Sequence, residues 1–200
     1  RCPTTRPAPR TDTCGAAAVR DSLFVSRPRS APTDAMTPEP GGPNSEMIVH
    51  GTCVALGTNA ALIRGSSGDG KSDLALRFLS LPQDDAGEAK LVADDQVCLF
   101  AKNDSLTAAP PANLAGLLEV RGLGVRQVPF ISSARVVVVC DLVDRRDVPR
   151  MRPDPWDQAT LAGIAVPVLK LAAFEASTPL KLKLAILDAM AHLRAANNKV

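Results

Sequence analysis

Apolar runs separated by short polar or glycine-rich breaks extend from residue 48 almost to the end of the chain, and most of these runs have the length of a β-strand. We predict strands at 48–56, 60–64, 90–93, 96–100, 106–109, 117–120, 135–142 and 163–168. Apolar residues at helical spacing predict helices at 71–81 and 169–176 and a last helix that begins at Pro179. The pattern therefore predicts an α/β fold with a mixed β-sheet core and flanking helices.

Two of the predicted elements carry a more detailed expectation. The first two strands flank a turn at 57–59, which predicts a β-hairpin. The last helix places four apolar residues on one face, which we expect to cover the core: Leu180, Leu184, Leu187 and Ala191.

The first 46 residues differ from the rest of the chain. They hold eight of the 17 prolines and six arginines, contain no lysine, and show no sustained apolar periodicity. Such a segment buries too little apolar surface to offset its conformational entropy. The chain begins with Arg1, whereas Met36 and Met47 lie just before the apolar runs. We therefore expect a disordered or spurious leader at 1–46 and one domain at 47–197.

Composition excludes several function classes. A formal net charge of +2 and an aromatic content of 3% argue against a nucleic-acid binder, and no apolar run has the roughly 18 residues needed for membrane insertion. The five cysteines include no CxxC pair, so a zinc site is not expected. Cys53, Cys98 and Cys140 lie in apolar runs, which predicts buried thiols in a reduced, cytoplasmic compartment.

One motif carries clear chemistry, because residues 65–72 match GxxxxGK[ST] between a predicted strand and a predicted helix. The glycines let backbone N–H groups converge on phosphate oxygens, and the helix directs its positive end at the same anion. The lysine of such a P-loop reaches the β- and γ-phosphates, and its serine hydroxyl ligates Mg²⁺. We therefore predict ATP binding with Mg²⁺ by Gly65, Ser66, Ser67, Gly68, Asp69, Gly70, Lys71 and Ser72.

Three further polar features are candidates for the same site. Asp94 and Asp95 follow an apolar strand, so one could act on the metal and the other as proton acceptor. Glu119 stands between apolar residues, where a carboxylate needs a metal or a partner such as Arg121. His50, in the first strand, has either a structural or a catalytic role.

The order of these motifs resembles the catalytic domain of the HPr kinase/phosphorylase family. The family's Val-His-Gly strand, GxSGxGKS loop, Ala-Asp-Asp strand end and Glu-x-Arg-Gly-Leu-Gly signature correspond to 49–51, 65–72, 93–95 and 119–124. The resemblance covers roughly 47–195 and is greatest to the short alphaproteobacterial form, which lacks an extra N-terminal domain. It implies ATP-dependent phosphorylation of a serine on a small HPr-type phosphocarrier protein of the phosphotransferase system.

The resemblance also implies residue roles. Asp94 would accept the serine proton with help from a hydrogen bond of His50, and Lys71 would hold the transferring phosphate. Ser72, Asp95 and Glu119 would ligate Mg²⁺. A loop arginine is also needed, with Arg150 the first candidate and Arg145 the second.

The family is oligomeric, commonly hexameric, and its members also remove the phosphate by phosphorolysis. Longer members carry a Pro-Gly-Arg-Asn segment tied to that reverse reaction, and this chain lacks it after 166–168. Two other functions stay open from the residues: a P-loop kinase acting on a small molecule, and a non-catalytic ATP-sensing module.

Overall fold

The computed structural model describes residues 46–197, which belong to one compact unit of the chain, Pro38–Val200. The predicted leader, apart from its last residue, lies outside the described residues, so the domain boundary at 46 and 47 stays a prediction. None of the described helices has the length and apolar character needed to cross a membrane.

The core is a nine-stranded mixed sheet. Seven strands run in the order β1-β5-β6-β9-β3-β2-β4, and β10 and β11 extend it because β11 also pairs with β9. Their bounds are β1 Glu46–His50, β2 Thr52–Leu56, β3 Asn59–Arg64, β4 Ala89–Ala93, β5 Gln96–Lys102, β6 Ser105–Ala109, β9 Ala134–Leu142, β10 Asp157–Leu161 and β11 Ile164–Leu171. A separate antiparallel hairpin contains β7 Leu117–Val120 and β8 Gly124–Gln127.

Four strands of the sheet end at the same edge. β3 and β11 both pair with β9 in parallel. β4 runs in the same direction as β3, because β2 lies between them and is antiparallel to both. The carboxyl ends of β4, β3, β9 and β11 therefore meet at one edge, which is where open α/β sheets bind ligands.

Apolar residues pack on both faces of the sheet. Ala61 and Ile63 of β3 face one cluster, which also contains side chains from the helices α1 Lys71–Leu79 and α2 Thr178–Asn197. Ala60 and Leu62, the alternate positions of β3, face a second cluster whose buried residues all come from strands. The period of two along β3 thus gives it two buried faces, as expected for a central strand.

Several predictions from the sequence are confirmed. The hairpin of β2 and β3 forms, and all three cysteines assigned to strands are buried and free. The mixed sheet with flanking helices is the predicted fold. The helix after the glycine-rich loop ends at Leu79, two residues earlier than expected, where Ser80 caps it through a bond to the Phe78 carbonyl.

Other predictions were wrong. The run 48–56 is two strands separated at Gly51, where a Cβ would lie 2.8 Å from the Ile63 carbonyl oxygen. The expected helix at 169–176 does not exist: 164–171 is one strand, because its end pairs with Val139–Leu142. β8 and β10 were not predicted.

The buried face of the last helix was also predicted wrongly. Leu182 is fully buried, whereas Leu180 and Leu184 are 54% and 60% exposed. Leucines occur all around this helix, so spacing alone did not identify the side that packs. That side is set by contact with β9 and α1, and it carries Leu182, Ala185, Ile186 and Ala189.

Candidate active site

The glycine-rich loop connects the end of β3 to the start of α1 at the shared sheet edge. Gly68 and Gly70 have φ values of +91° and +89°, which side chains other than glycine rarely adopt. A Cβ on Gly70 would also lie 2.7 Å from the ring of Phe174. The loop is closed by a hydrogen bond of 2.5 Å from the Ser66 N–H to the Asp69 carboxylate.

Lys71 folds back beneath this loop. Its ammonium donates to the carbonyl oxygens of Gly65 at 2.9 Å and Ser66 at 2.8 Å, and the residue is buried. No carboxylate within residues 46–197 pairs with it. The positive charge is therefore held against the loop by neutral acceptors, ready to pair with an anion.

Asp94 is the most constrained acidic group of the site, and it is only 6% exposed. It accepts hydrogen bonds from the Thr52 hydroxyl at 2.7 Å, from the Ser72 hydroxyl at 3.0 and 3.1 Å to its two oxygens, and from the Glu119 N–H at 3.2 Å. These bonds join β2, α1 and β7 at one carboxylate. Asp94 therefore fixes the position of Ser72.

Asp95 takes the opposite orientation. Its φ of +67° lies in the left-handed region and turns the chain out of β4, with its carbonyl accepting the Gly51 N–H at 3.1 Å. Its side chain is 68% exposed and lies 3.1 Å from His50 Nδ1. The histidine thus pairs with Asp95, whereas the family resemblance implied a bond to Asp94.

These groups line one cavity of about 340 Å³. Every predicted site residue lines this cavity except Arg150 and three residues of the loop, Gly65, Ser66 and Asp69. Arg121 and Phe174 line it as well. Its principal lining residues are His50, Ser67, Gly68, Lys71, Ser72, Asp94, Asp95, Glu119, Arg121 and Phe174.

Glu119 was expected in a buried strand, and this was wrong. It is exposed on the small hairpin of β7 and β8, and its side chain faces the cavity without a partner among the described residues. Arg121 lines the same cavity, and no ion pair joins it to Glu119 within residues 46–197. Both side chains are therefore available to a ligand.

The loop arginines lie elsewhere. Arg150 does not line this cavity. Arg145 lies on the far side of the glycine-rich loop, where it pairs with Glu175 at 3.1 Å and lines a second cavity of about 620 Å³. The structure thus brings neither candidate to Asp94, and Arg121 is the arginine found there.

The oxygen atoms of Ser72 and Asp94 fit a Mg²⁺ ion that is also bound by phosphate. They do not indicate a metal site formed by protein groups alone. The described part of the chain contains no cluster of three or more His, Cys, Asp or Glu side chains able to hold a metal. Mg²⁺ usually takes one or two carboxylates and completes its shell with water and substrate phosphates. The Ser72 hydroxyl beside the Asp94 carboxylate is an oxygen pair of that kind.

Sequence reasoning missed Thr52 and Phe174 as site residues, and it named Arg121 only as a possible partner of Glu119. Arg121 carried a signal, since it belongs to the Glu-x-Arg-Gly-Leu-Gly signature. Thr52 and Phe174 carried none, because each reaches the site only through strand pairing.

The chain is similar in sequence and in fold to known proteins. Residues 44–139 match the family model described as HPr Serine kinase C-terminal domain. An HPr kinase/phosphorylase of Streptococcus thermophilus is 38% identical over 90 residues, 44% of this chain and 27% of that protein. The one of Shouchella clausii is 40% identical over the same length and shares, and that of Streptococcus gordonii is 28% identical over 133 residues, 62% of this chain and 41% of that protein.

The chain thus matches only about a quarter to two fifths of the length of these curated relatives. A solved structure of the Hpr(Ser) kinase/phosphatase from Coxiella burnetii superposes with a TM-score of 0.64 at 20% identity, covering 76% of this chain and 96% of that one. At this identity the likeness is one of fold. The matched residues include the phosphate loop, both aspartates and the signature that carries Glu119. Residues 44–139, just under half of the chain, are therefore similar to the HPr Serine kinase C-terminal domain.

Proposed function

We propose that the chain is an ATP- and Mg²⁺-dependent kinase that phosphorylates a serine of an HPr-type phosphocarrier protein. The observation that carries this proposal is the convergence of Lys71, Ser72, Asp94, Asp95 and Glu119 on one open cavity at the carboxyl edge of the sheet. Phosphoryl transfer needs positioning and charge neutralisation more than covalent chemistry, and this set provides both.

The phosphates of ATP would lie on the glycine-rich loop. Its N–H groups and the amino end of α1 would bind the anion, and Lys71 would exchange its carbonyl partners for phosphate oxygens. Ser72 and Asp94 would hold Mg²⁺, with Glu119 as a further ligand that faces the same cavity. The metal, when bound, neutralises charge on the phosphate oxygens.

The geometry divides the two aspartates differently from the family resemblance. Asp94 is buried, and its oxygens already accept hydrogen bonds from Thr52, Ser72 and the N–H of Glu119, so a serine of another protein cannot reach it easily. Asp95 is exposed at the cavity and is oriented by His50. We therefore assign proton acceptance to Asp95 and support of the metal to Asp94.

Transfer then balances as follows. The serine Oγ attacks the γ-phosphorus, its proton passes to an Asp95 oxygen, and the bond from the γ-phosphorus to the bridging oxygen breaks to release ADP. Arg121 lines the cavity wall and would pair with the transferred group. In the reverse direction an oxygen of inorganic phosphate would attack the phosphorus of the phosphoserine, and the bond from that phosphorus to the serine Oγ would break to release pyrophosphate. Asp95 would take the proton of the attacking phosphate and donate it to the serine Oγ. Homo-oligomeric assembly and a cytoplasmic location stay predictions.

The test is the intact mass of HPr after incubation with this protein, ATP and Mg²⁺. We expect a gain of one phosphoryl group, located on a serine by tandem mass spectrometry, and its loss with Asp95→Asn. Asp104→Asn, an exposed aspartate in the turn after β5, is the matched control and should leave the reaction unchanged. An unmodified HPr beside a phosphorylated small molecule would overturn the proposal in favour of a metabolite kinase. ATP binding without any transfer would favour a sensing module.

A further inference from the structure

We propose that the second cavity, on the far side of the glycine-rich loop from Asp94, binds the base and ribose of the nucleotide, with the base stacked on Phe174. This inference rests on the proposed binding of ATP at the loop. It adds what no motif assigns, namely where the nucleoside part lies and which side chain recognises it.

Position in the sheet supports this assignment. The loop follows β3; Asp94 follows β4 on one side of it, and the second cavity lies on the other side, between the ends of β9 and β11. Its walls are residues 142–145 and 172–175. Since all four strands end at the same edge, a ligand that lies across the loop continues from one cavity into the other.

The two cavities adjoin each other, because they share two lining residues. Gly68, in the loop, and Phe174 line both of them. A triphosphate seated on the loop with its terminal phosphate toward Asp94 therefore has its opposite end beside Phe174. The volume of about 620 Å³ falls in the range of about 300–1,000 Å³ typical of small-molecule sites.

The chemistry of the walls suits a nucleoside better than a phosphate. Three carboxylates line the cavity, from Asp69, Asp144 and Glu175, and Arg145 is the one cationic lining residue. Arg145 pairs with Glu175, and Arg146, outside the lining, pairs with Asp144. The hydrogen bond from Lys181 lowers the pKa of Glu175, which keeps it charged at neutral pH. The lining cation is thus already paired, so these walls offer little to a phosphate, whereas their carboxylate oxygens accept hydrogen bonds from ribose hydroxyls or an exocyclic amino group. This polarity orients the nucleotide with its phosphates away from the cavity.

Phe174 provides the stacking surface. It is 72% exposed, which is unusual for a phenylalanine, yet its ring lies against Gly70 of the loop. The contact fixes the ring at the point where the two cavities join. Nucleic-acid bases stack on exposed aromatic side chains of this kind, and the stacking depends little on which base is present.

The test compares two ligands that share the phosphates and differ in the nucleoside: ATP and inorganic tripolyphosphate, each with Mg²⁺, titrated by calorimetry. Phe174→Leu should weaken ATP binding about tenfold or more, because a stacked base is lost, and leave tripolyphosphate binding unchanged. Phe174→Trp should restore ATP affinity. Met151→Ala, another exposed apolar side chain outside both cavities, is the control and should change neither ligand.

A fluorescence signal adds a direct readout. The indole introduced by Phe174→Trp should be quenched by ATP and not by tripolyphosphate, over a background from Trp156, which is buried. Equal ATP affinity in Phe174→Leu and the parent protein, or equal weakening of both ligands, would overturn the nucleoside site and leave the proposed kinase standing. Failure of both ligands to bind the parent protein would overturn the kinase and the nucleoside site together.

Discussion

The two cavities that flank the glycine-rich loop differ in how they are encoded. The cavity of Asp94 is built from residues 50–121, apart from Phe174, and so lies within the matched family region 44–139. Apart from the loop itself, the cavity beside Arg145 is built from 142–145 and 172–175, beyond that region. The first carries recognisable motifs, whereas the second is assembled by the parallel pairing of β9 with β11. The residues around the proposed phosphate site are thus specified by short sequence motifs, whereas the walls of the second cavity depend on how distant strands pair.

Removal of the Lys71 ammonium should have the largest effect on the cavity of Asp94. Lys71→Met should lower kcat/KM for HPr phosphorylation about 10³-fold, because a preorganised charge on the transferring phosphoryl group is lost. Lys102→Met, an exposed lysine at the end of β5, is the matched control and should be neutral. A loss of less than tenfold in Lys71→Met would show that the loop does not hold the transferred group.

The two aspartates should separate in their dependence on Mg²⁺. Asp95→Asn should lower kcat about 10²- to 10³-fold with the half-saturating Mg²⁺ concentration unchanged, since a proton acceptor is removed. Asp94→Asn should lower the rate and raise that concentration, since Ser72 loses its carboxylate partner. Magnesium titrations of the initial rate measure both. The reverse pattern would return proton acceptance to Asp94.

Both cavities rest on one core, and this can be tested on α2. Leu182→Ala should reduce the free energy of unfolding by about 3 kcal/mol, because a fully buried side chain leaves a cavity. Leu184→Ala, at an exposed position two residues away, should change it by less than about 0.5 kcal/mol. Urea denaturation followed by circular dichroism gives both values. Equal losses would mean that the helix packs through a different face.

The smallest expected effect distinguishes the arginines. Arg121→Ala should lower kcat/KM about 10- to 100-fold, because it removes a cation from the wall of the reacting cavity. Arg150→Ala should stay within about twofold of the parent, since Arg150 lines neither cavity. Steady-state kinetics with HPr as the varied substrate decides this. A dominant effect of Arg150 would mean that its loop closes over the bound substrates.

Much of the site could be predicted because short-range spacing specifies it. The loop at 65–72 needs glycines at fixed positions, and a strand that ends in two aspartates places them beside it. The hairpin of β2 and β3 followed from its turn. These features depend on neighbours in the sequence.

The parts that could not be predicted depend on tertiary pairing. A helix was predicted at 169–176, but residues 169–171 continue β11 because β9 supplies a parallel partner. His50 was expected to bond Asp94. It pairs with Asp95 instead, because the left-handed backbone of Asp95 directs the Asp95 carboxylate toward His50. Thr52 reaches Asp94 only because β2 lies next to β4. In each case the backbone partner decides, and the sequence alone does not name it.

The most direct measurement is a crystal structure of the protein with Mg²⁺ and a non-hydrolysable ATP analogue. We expect the phosphates on the loop and the metal beside Ser72 and Asp94. The terminal phosphate should lie in the cavity of Asp94, near Asp95, and the base should lie against Phe174. An analogue with its base among Asp94, Asp95 and Glu119, or bound away from residues 65–72, would contradict the account.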